Sequence, residues 1–129
     1  MAEALFNQKA PSGFFAISAG TKVFDKEGNS CEGEMLENRA GAEHVVATLQ
    51  EVGVDARKAT RNQITKEAFD ESDVVVVMAE KETLQDYLLD NEKVCYWDIE
   101  DPKNKSLEET RNTRDIINNL VENLIKDIS

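Results

Sequence analysis

Asp73-Val74-Val75-Val76-Val77-Met78 is a run of four valines closed by a methionine, with no polar residue alternating among them. A strand with one wet face alternates apolar and polar side chains. A continuous β-branched run therefore predicts a strand buried on both faces, as in a parallel sheet. Beyond it, Glu80 to Asp90 places Leu84, Tyr87 and Leu88 on one helical face, and Val94 to Ile99 is a second apolar run of strand length. Strand, helix and strand in that order predict parallel pairing.

The pattern continues toward the N-terminus. Residues 1 to 10 form a short helix, stopped by Pro11-Ser12-Gly13. Phe14-Phe15-Ala16-Ile17-Ser18 is a short buried strand, ended by Ala19-Gly20-Thr21. Residues 22 to 34 are polar and glycine-bearing, hence a loop. From Leu36 to Val52 the apolar residues Ala42, Val45, Val46, Leu49 and Val52 fall at helical spacing, and Gly53 follows as a C-terminal cap. Val54 to Arg61 is a connection, and Thr65 is the N-cap of a brief helix through Phe69.

Toward the C-terminus, Ser106 with Glu109 makes a capping box. The last helix it opens buries a stripe of Ile116, Ile117, Leu120, Val121, Leu124 and Ile128. The whole order is α-β-α-(α)-β-α-β-α, which predicts one α/β domain over residues 1–129 with a small parallel sheet. Its three strands fall short of the about four to six usual in a sheet.

Composition narrows the function. The chain has 129 residues, 40% of them hydrophobic and 32% charged, as in an ordinary globular domain. Its net charge of −11 repels a phosphate backbone, so nucleic acid is not expected as a partner. The same acidity means that any anion needs a locally positive pocket. The longest apolar runs are a few residues, far below the roughly 20 needed to cross a bilayer, and no charged-then-apolar leader opens the chain. The expected location is cytoplasmic, with no membrane partner. Cys31, Cys95 and His44 show no metal-ligand spacing, so neither a metal nor an organic cofactor is expected. Cys95 is read as a small buried hydrophobe, Cys31 as an unreactive thiol among carboxylates, and His44 as a surface residue.

A resemblance then becomes specific. Met1-Ala2-Glu3-Ala4-Leu5-Phe6-Asn7, Ile17-Ser18-Ala19-Gly20-Thr21, Asn62-Gln63-Ile64-Thr65, Asp73 to Met78, and Trp97-Asp98-Ile99-Glu100-Asp101-Pro102 occur in that order. The series resembles the low-molecular-weight protein tyrosine phosphatases, whose fold is shared by the thioredoxin-coupled arsenate reductases. It covers essentially the whole chain.

The resemblance implies a flavodoxin-like three-layer α/β fold and hydrolysis of phosphate monoesters through a cysteinyl-phosphate. Family members open with one further strand, which ends in a loop of the form Cys, five residues, Arg, then Ser. That loop feeds the helix that here begins at Met1. Backbone N–H groups at a helix N-terminus hold the phosphate and favour the thiolate, and the arginine forks onto the phosphoryl oxygens. By the same resemblance Asp101 is the general acid that protonates the leaving oxygen, and Pro102 fixes its turn. Ser18 corresponds to a serine that buttresses the phosphate loop. Lys103 stands where many members carry a tyrosine that stacks on the substrate ring; it either attracts an anion or is a solvated loop lysine.

The nucleophile has no counterpart. Six positions on from Cys31 is Glu37, and six on from Cys95 is Asp101; neither is arginine. The expectation is a phosphatase-like domain truncated at its N-terminus relative to the family, without the first strand and phosphate loop, and inactive as it stands. A non-catalytic binding or regulatory module is one alternative. An arsenate reductase-like protein is another, although Met78 to Glu92 holds no cysteine for a thiol relay. The expected ligand is a phosphorylated substrate or oxyanion. In this topology the absent strand lies between Phe14–Ser18 and Val74–Met78, so the domain is expected either to be unstable or to be repaired, by direct pairing of the two or by a strand from another molecule at the exposed sheet edge.

Overall fold

A computed structural model describes residues 1–21, 23–24, 27–39, 41–79, 81–89, 91–99 and 105–129. They fall into two compact units, one drawn from residues 1–18, 34–60 and 100–129, the other from 19–33 and 61–99.

The first unit is helical. It contains α1 (Ala2–Lys9), α2 (Glu43–Gln50) and α4 (Leu107–Ile128), with α1 and α2 both packed on α4. The capping box of α4 forms as expected. Ser106 Oγ accepts the Glu109 N–H at 3.1 Å, and the Glu109 carboxylate accepts the Ser106 N–H at 3.5 Å. The buried stripe, however, is Thr110, Arg114, Ile117 and Val121, while Ile116 is 53% exposed. The stripe is displaced because two polar residues can be buried with their hydrogen bonds satisfied. Thr110 Oγ1 donates to Ser106 O at 2.8 Å. Arg114 donates to Thr48 O at 2.8 Å, to Glu51 Oε1 at 2.7 Å and twice to Asp115 Oδ1. Around them Leu5, Phe6, Val45 and Leu49 complete the core. Each such side chain contributes about 1.5–3 kcal/mol on burial.

The helix expected from Leu36 to Val52 is shorter. A single 3-10 turn, Leu36–Asn38, precedes α2. The Leu36 and Glu37 N–H groups donate to Ala59 O and Arg57 O, at 2.8 and 2.9 Å, instead of to a preceding helical turn. Gly53 does end the helix, at φ 82°, with its N–H on Gln50 O and the Val54 N–H on Leu49 O, both 3.0 Å.

The second unit holds α3 (Lys66–Glu71), β1 (Val75–Val77) and β2 (Val94–Tyr96). Thr65 caps α3, accepting the Ala68 N–H at 3.2 Å. The strands pair in parallel, Val75 opposite Val94, Val76 opposite Cys95 and Val77 opposite Tyr96. Phe69, Val77 and Leu88 form the buried cluster beneath them. Lys93 fastens the start of β2 to the end of α3, donating to Phe69 O at 2.6 Å and Ser72 O at 3.0 Å, with its ammonium 4.3 Å from the Phe69 ring.

Three sequence expectations fail here. The valine run is not buried on both faces: Val77 is, but Val74 and Met78 are exposed. The reason is that β1 pairs along one edge only, and among the described residues no strand lies on the other. Phe14–Ser18 is not a strand, and among the described residues the sheet has two strands. Glu80 to Asp90 is not one helix. It contains two 3-10 turns, Lys81–Thr83 and Asp86–Leu88, while Glu80 and Asp90 themselves lie outside the described residues. Between the turns Gln85 is extended, its side chain held by Thr21, and Leu88 O accepts the Tyr96 hydroxyl at 2.5 Å. These tertiary bonds override helix propensity.

Candidate active site

Glu3 and Asn7 stand four residues apart on α1, hence on one face. Asn7 Nδ2 donates to Ala16 O at 3.0 Å, and its Oδ1 accepts the Ala16 N–H at 2.7 Å. Glu3 accepts the Ser18 hydroxyl. One helix face thus holds both ends of the Ala16–Ser18 tripeptide. Ser18 is exposed, and its hydroxyl is engaged by Glu3. An open hollow of about 420 Å³ beside this face is lined by Glu3, Asn7, Asp55 and Lys58 among others.

The residues after Ser18 belong to the second unit. Gly20 donates to Asn62 O at 2.7 Å and accepts the Ile64 N–H at 2.8 Å, a short parallel bridge. A Cβ at Gly20 would lie 2.7 Å from Val23 Cγ2, so the close approach requires glycine. The Thr21 carbonyl accepts both the Gln63 and Gln85 amides, at 2.9 and 3.3 Å. The Thr21 and Thr83 hydroxyls meet at 2.8 Å, and Gln63 Oε1 accepts the Val23 N–H at 3.0 Å. Among the described residues Gln85 Oε1 is buried without a partner. Sequence reasoning quoted Gln63 only as part of a motif and missed Thr83 and Gln85. An unbroken helix over 80–90 gives no reason to single out either.

Asp101, Pro102 and Lys103 lie outside the described residues. Of the candidate site residues Ser18, Asp101 and Lys103, only Ser18 is therefore placed. The segment of Asp101 and Lys103 is bounded by described residues. On its N-terminal side the Trp97 N–H donates to Val77 O at 2.9 Å, extending the β1–β2 ladder. On its C-terminal side Lys105 O lies 2.7 Å from His44 Nδ1, so that nitrogen carries the proton. His44 is exposed, as expected.

Both thiols are free and half-buried. Cys31 Sγ is 3.9 Å from Asn29 O in a glycine turn, and Cys95 Sγ is 3.7 Å from Val75 O within the strand pair. Cys95 is thus less buried than its apolar neighbours suggest, because β2 ends a two-stranded sheet. Among the described residues no three His, Cys, Asp or Glu side chains cluster as metal ligands, and no helix is long and apolar enough to cross a membrane.

A parallel β1–β2 pair in a chain otherwise made of helices is the pattern of a flavodoxin-like α/β domain. The family model described as low molecular weight phosphotyrosine protein phosphatase matches residues 1–129, and the chain belongs to that family. No curated protein matches it. Among solved structures it is similar to an arsenate reductase in its intermediate state, at 28% identity and TM-score 0.70 over 99% of this chain and 87% of that one. It is similar in fold to the low molecular weight protein tyrosine phosphatase of T. tengcongensis, at 23% identity and TM-score 0.75 over 98% and 88%. It is likewise similar in fold to Vibrio vulnificus Wzb, solved in complex with benzylphosphonate, at 20% identity and TM-score 0.77 over 98% and 88%.

Proposed function

We propose that this chain carries the proton-donating half of a cytoplasmic phosphomonoester hydrolase and that these 129 residues alone turn over no phosphomonoester. Asp101 is the acid, protonating the leaving oxygen as the ester bond breaks, and Pro102 holds its turn. Ser18, whose hydroxyl is held by Glu3, corresponds to the serine that buttresses the phosphate loop in the family. Lys103 attracts the oxyanion toward an otherwise acidic surface.

The observation that carries the reading is the position of the two thiols. A thiolate nucleophile needs an arginine fork on the same phosphate, and neither Cys31 nor Cys95 is followed by arginine at the sixth position. Cys95 is further engaged with the Val75 carbonyl inside the sheet. Without nucleophile and fork, an acid alone supplies roughly 10²–10⁴-fold at best, far below an enzyme's usual acceleration. The test is hydrolysis of p-nitrophenyl phosphate by the purified chain beside its Asp101→Asn variant. Both are expected at the buffer rate. Turnover that falls with Asp101→Asn would contradict the missing nucleophile while supporting the acid.

An arsenate reductase reading is favoured by the 28% identity to such an enzyme. By the family resemblance that chemistry relays a disulfide through three thiols, and this chain has two.

A further inference from the structure

We propose that Arg39, together with the adjoining N-termini of α2 and α4, forms a binding site for a free tetrahedral oxyanion such as inorganic phosphate.

Arg39 stands in the turn between Leu36–Asn38 and α2, and its carbonyl accepts the Ala42 N–H at 3.2 Å. Its side chain is half-buried. Its Nε is shut off from solvent and has no hydrogen-bond partner among the described residues. The other arginines are engaged: Arg57 with Asp55, Arg111 and Arg114 with Glu51, and Arg61 is not free either. A guanidinium donor withdrawn from water without an acceptor is costly, and here it goes unpaired in a chain of net charge −11. The group that satisfies it is an anion.

The surroundings supply further donors. His44 Nδ1 lies 2.7 Å from Lys105 O near the start of both helices, while Arg114 meets Thr48 O and Glu51 further along. α2 and α4 therefore run the same way, with their N-termini side by side. The Glu43, His44 and Val45 N–H groups of α2, and those of Leu107 and Glu108 of α4, have no acceptor among the described residues. Ala42 holds the N-cap position of α2, so no side chain caps that helix. Two helix dipoles thus present their positive ends at the same end of the unit. Lys105, 20% exposed, adds a charge that it shares with Glu109 at 3.8 Å. The opposing carboxylates are Glu43 and Glu108, exposed and screened, and Glu109, committed to the Ser106 cap and to Lys105.

Donors arriving from a guanidinium fork and from two helix ends suit an anion whose oxygens point several ways, hence a tetrahedral one rather than a flat carboxylate. All of these residues belong to the first unit. The site includes neither thiol, so it binds without turnover, and it does not rest on the role of Asp101.

The test is a phosphate titration of the isotope-labelled chain followed by nuclear magnetic resonance, with ionic strength held constant by chloride. The expected result is saturable shifts of the Glu43, His44 and Val45 amides and of the Arg39 Nε–H. Sulfate should compete, and acetate should not. Arg39→Gln should weaken binding about tenfold or more. Arg57→Gln removes the same charge from an arginine already paired and should leave binding unchanged. If Arg39→Gln unfolds the chain, the wild-type Arg39 resonance decides alone. Absence of saturable shifts overturns the proposal, as does binding that survives Arg39→Gln undiminished. Equal weakening by both variants overturns it too, because net charge rather than a site would then be acting, and acetate binding as well as phosphate overturns the ligand class.

Discussion

Asn7 binds Ala16 as a neighbouring strand would, donating to its carbonyl and accepting its N–H through one side-chain amide. The bond pair places a loop residue against α1 and leaves the other side of the segment open. Replacing Asn7 with alanine removes both bonds. We expect a loss of about 1–2 kcal/mol, read from urea unfolding with an unchanged m-value, and faster amide exchange at Ala16. Unaltered exchange there would show that the clamp does not hold the segment.

Gly20→Ala places a methyl 2.7 Å from Val23 Cγ2, where Val23 is buried. Overpacking of this kind costs about 1–3 kcal/mol. The expected outcome is a lower midpoint in thermal unfolding, rescued in part by Val23→Ala. Independent losses in the double variant would argue that the two do not touch.

Acid should weaken the first unit through Glu51 and Asp55. The hydrogen bond from Arg111, followed by that from Arg114, outweighs desolvation and holds Glu51 down at about 2 rather than 4.5. The Arg57 side chain likewise holds Asp55 at about 2 rather than 3.8. A carboxylate with a depressed folded pKa stabilises the fold above its unfolded value and loses that contribution as pH falls toward the folded one. Stability should therefore decline from about pH 4.5 to 2. Glu51→Gln should flatten the decline, and high salt should shrink the difference because the groups are solvent-exposed. An identical acid limb in Glu51→Gln would refute the assignment.

Ser106→Ala removes the cap from the 22-residue α4. The expected cost is about 1 kcal/mol, measured as a drop in thermal midpoint, with Ser106→Asp retaining most of the stability.

What the sequence made legible was local. The Ser106 and Thr65 caps, the Gly53 terminus and the parallel pairing of the valine run with Val94–Tyr96 all depend on a few adjacent residues or on periodicity. What it concealed depends on distant partners. Asn7 and Ala16 are nine residues apart, Thr21 and Gln85 sixty-four, and nothing in either stretch signals the bond. Phe14–Ser18 has strand composition but no strand beside it, so its propensity goes unused. Arg114 looks like a surface residue in the helical pattern; only Thr48 on α2 and Glu51 at its C-cap reveal how it can be buried. Resemblance singles out Ser18 in the sequence, whereas nothing in it signals the bonds that Thr83 and Gln85 make to Thr21.

The central claim is that these residues hold a proton donor without its nucleophile. Trapping is the most direct measurement: incubate the chain with an aryl phosphate, quench in acid and record the intact mass for a cysteinyl-phosphate. We predict no adduct on either thiol and no phenol released above the buffer rate. A phosphorylated Cys31 or Cys95, with phenol release abolished by the corresponding Cys→Ser change, would contradict the account.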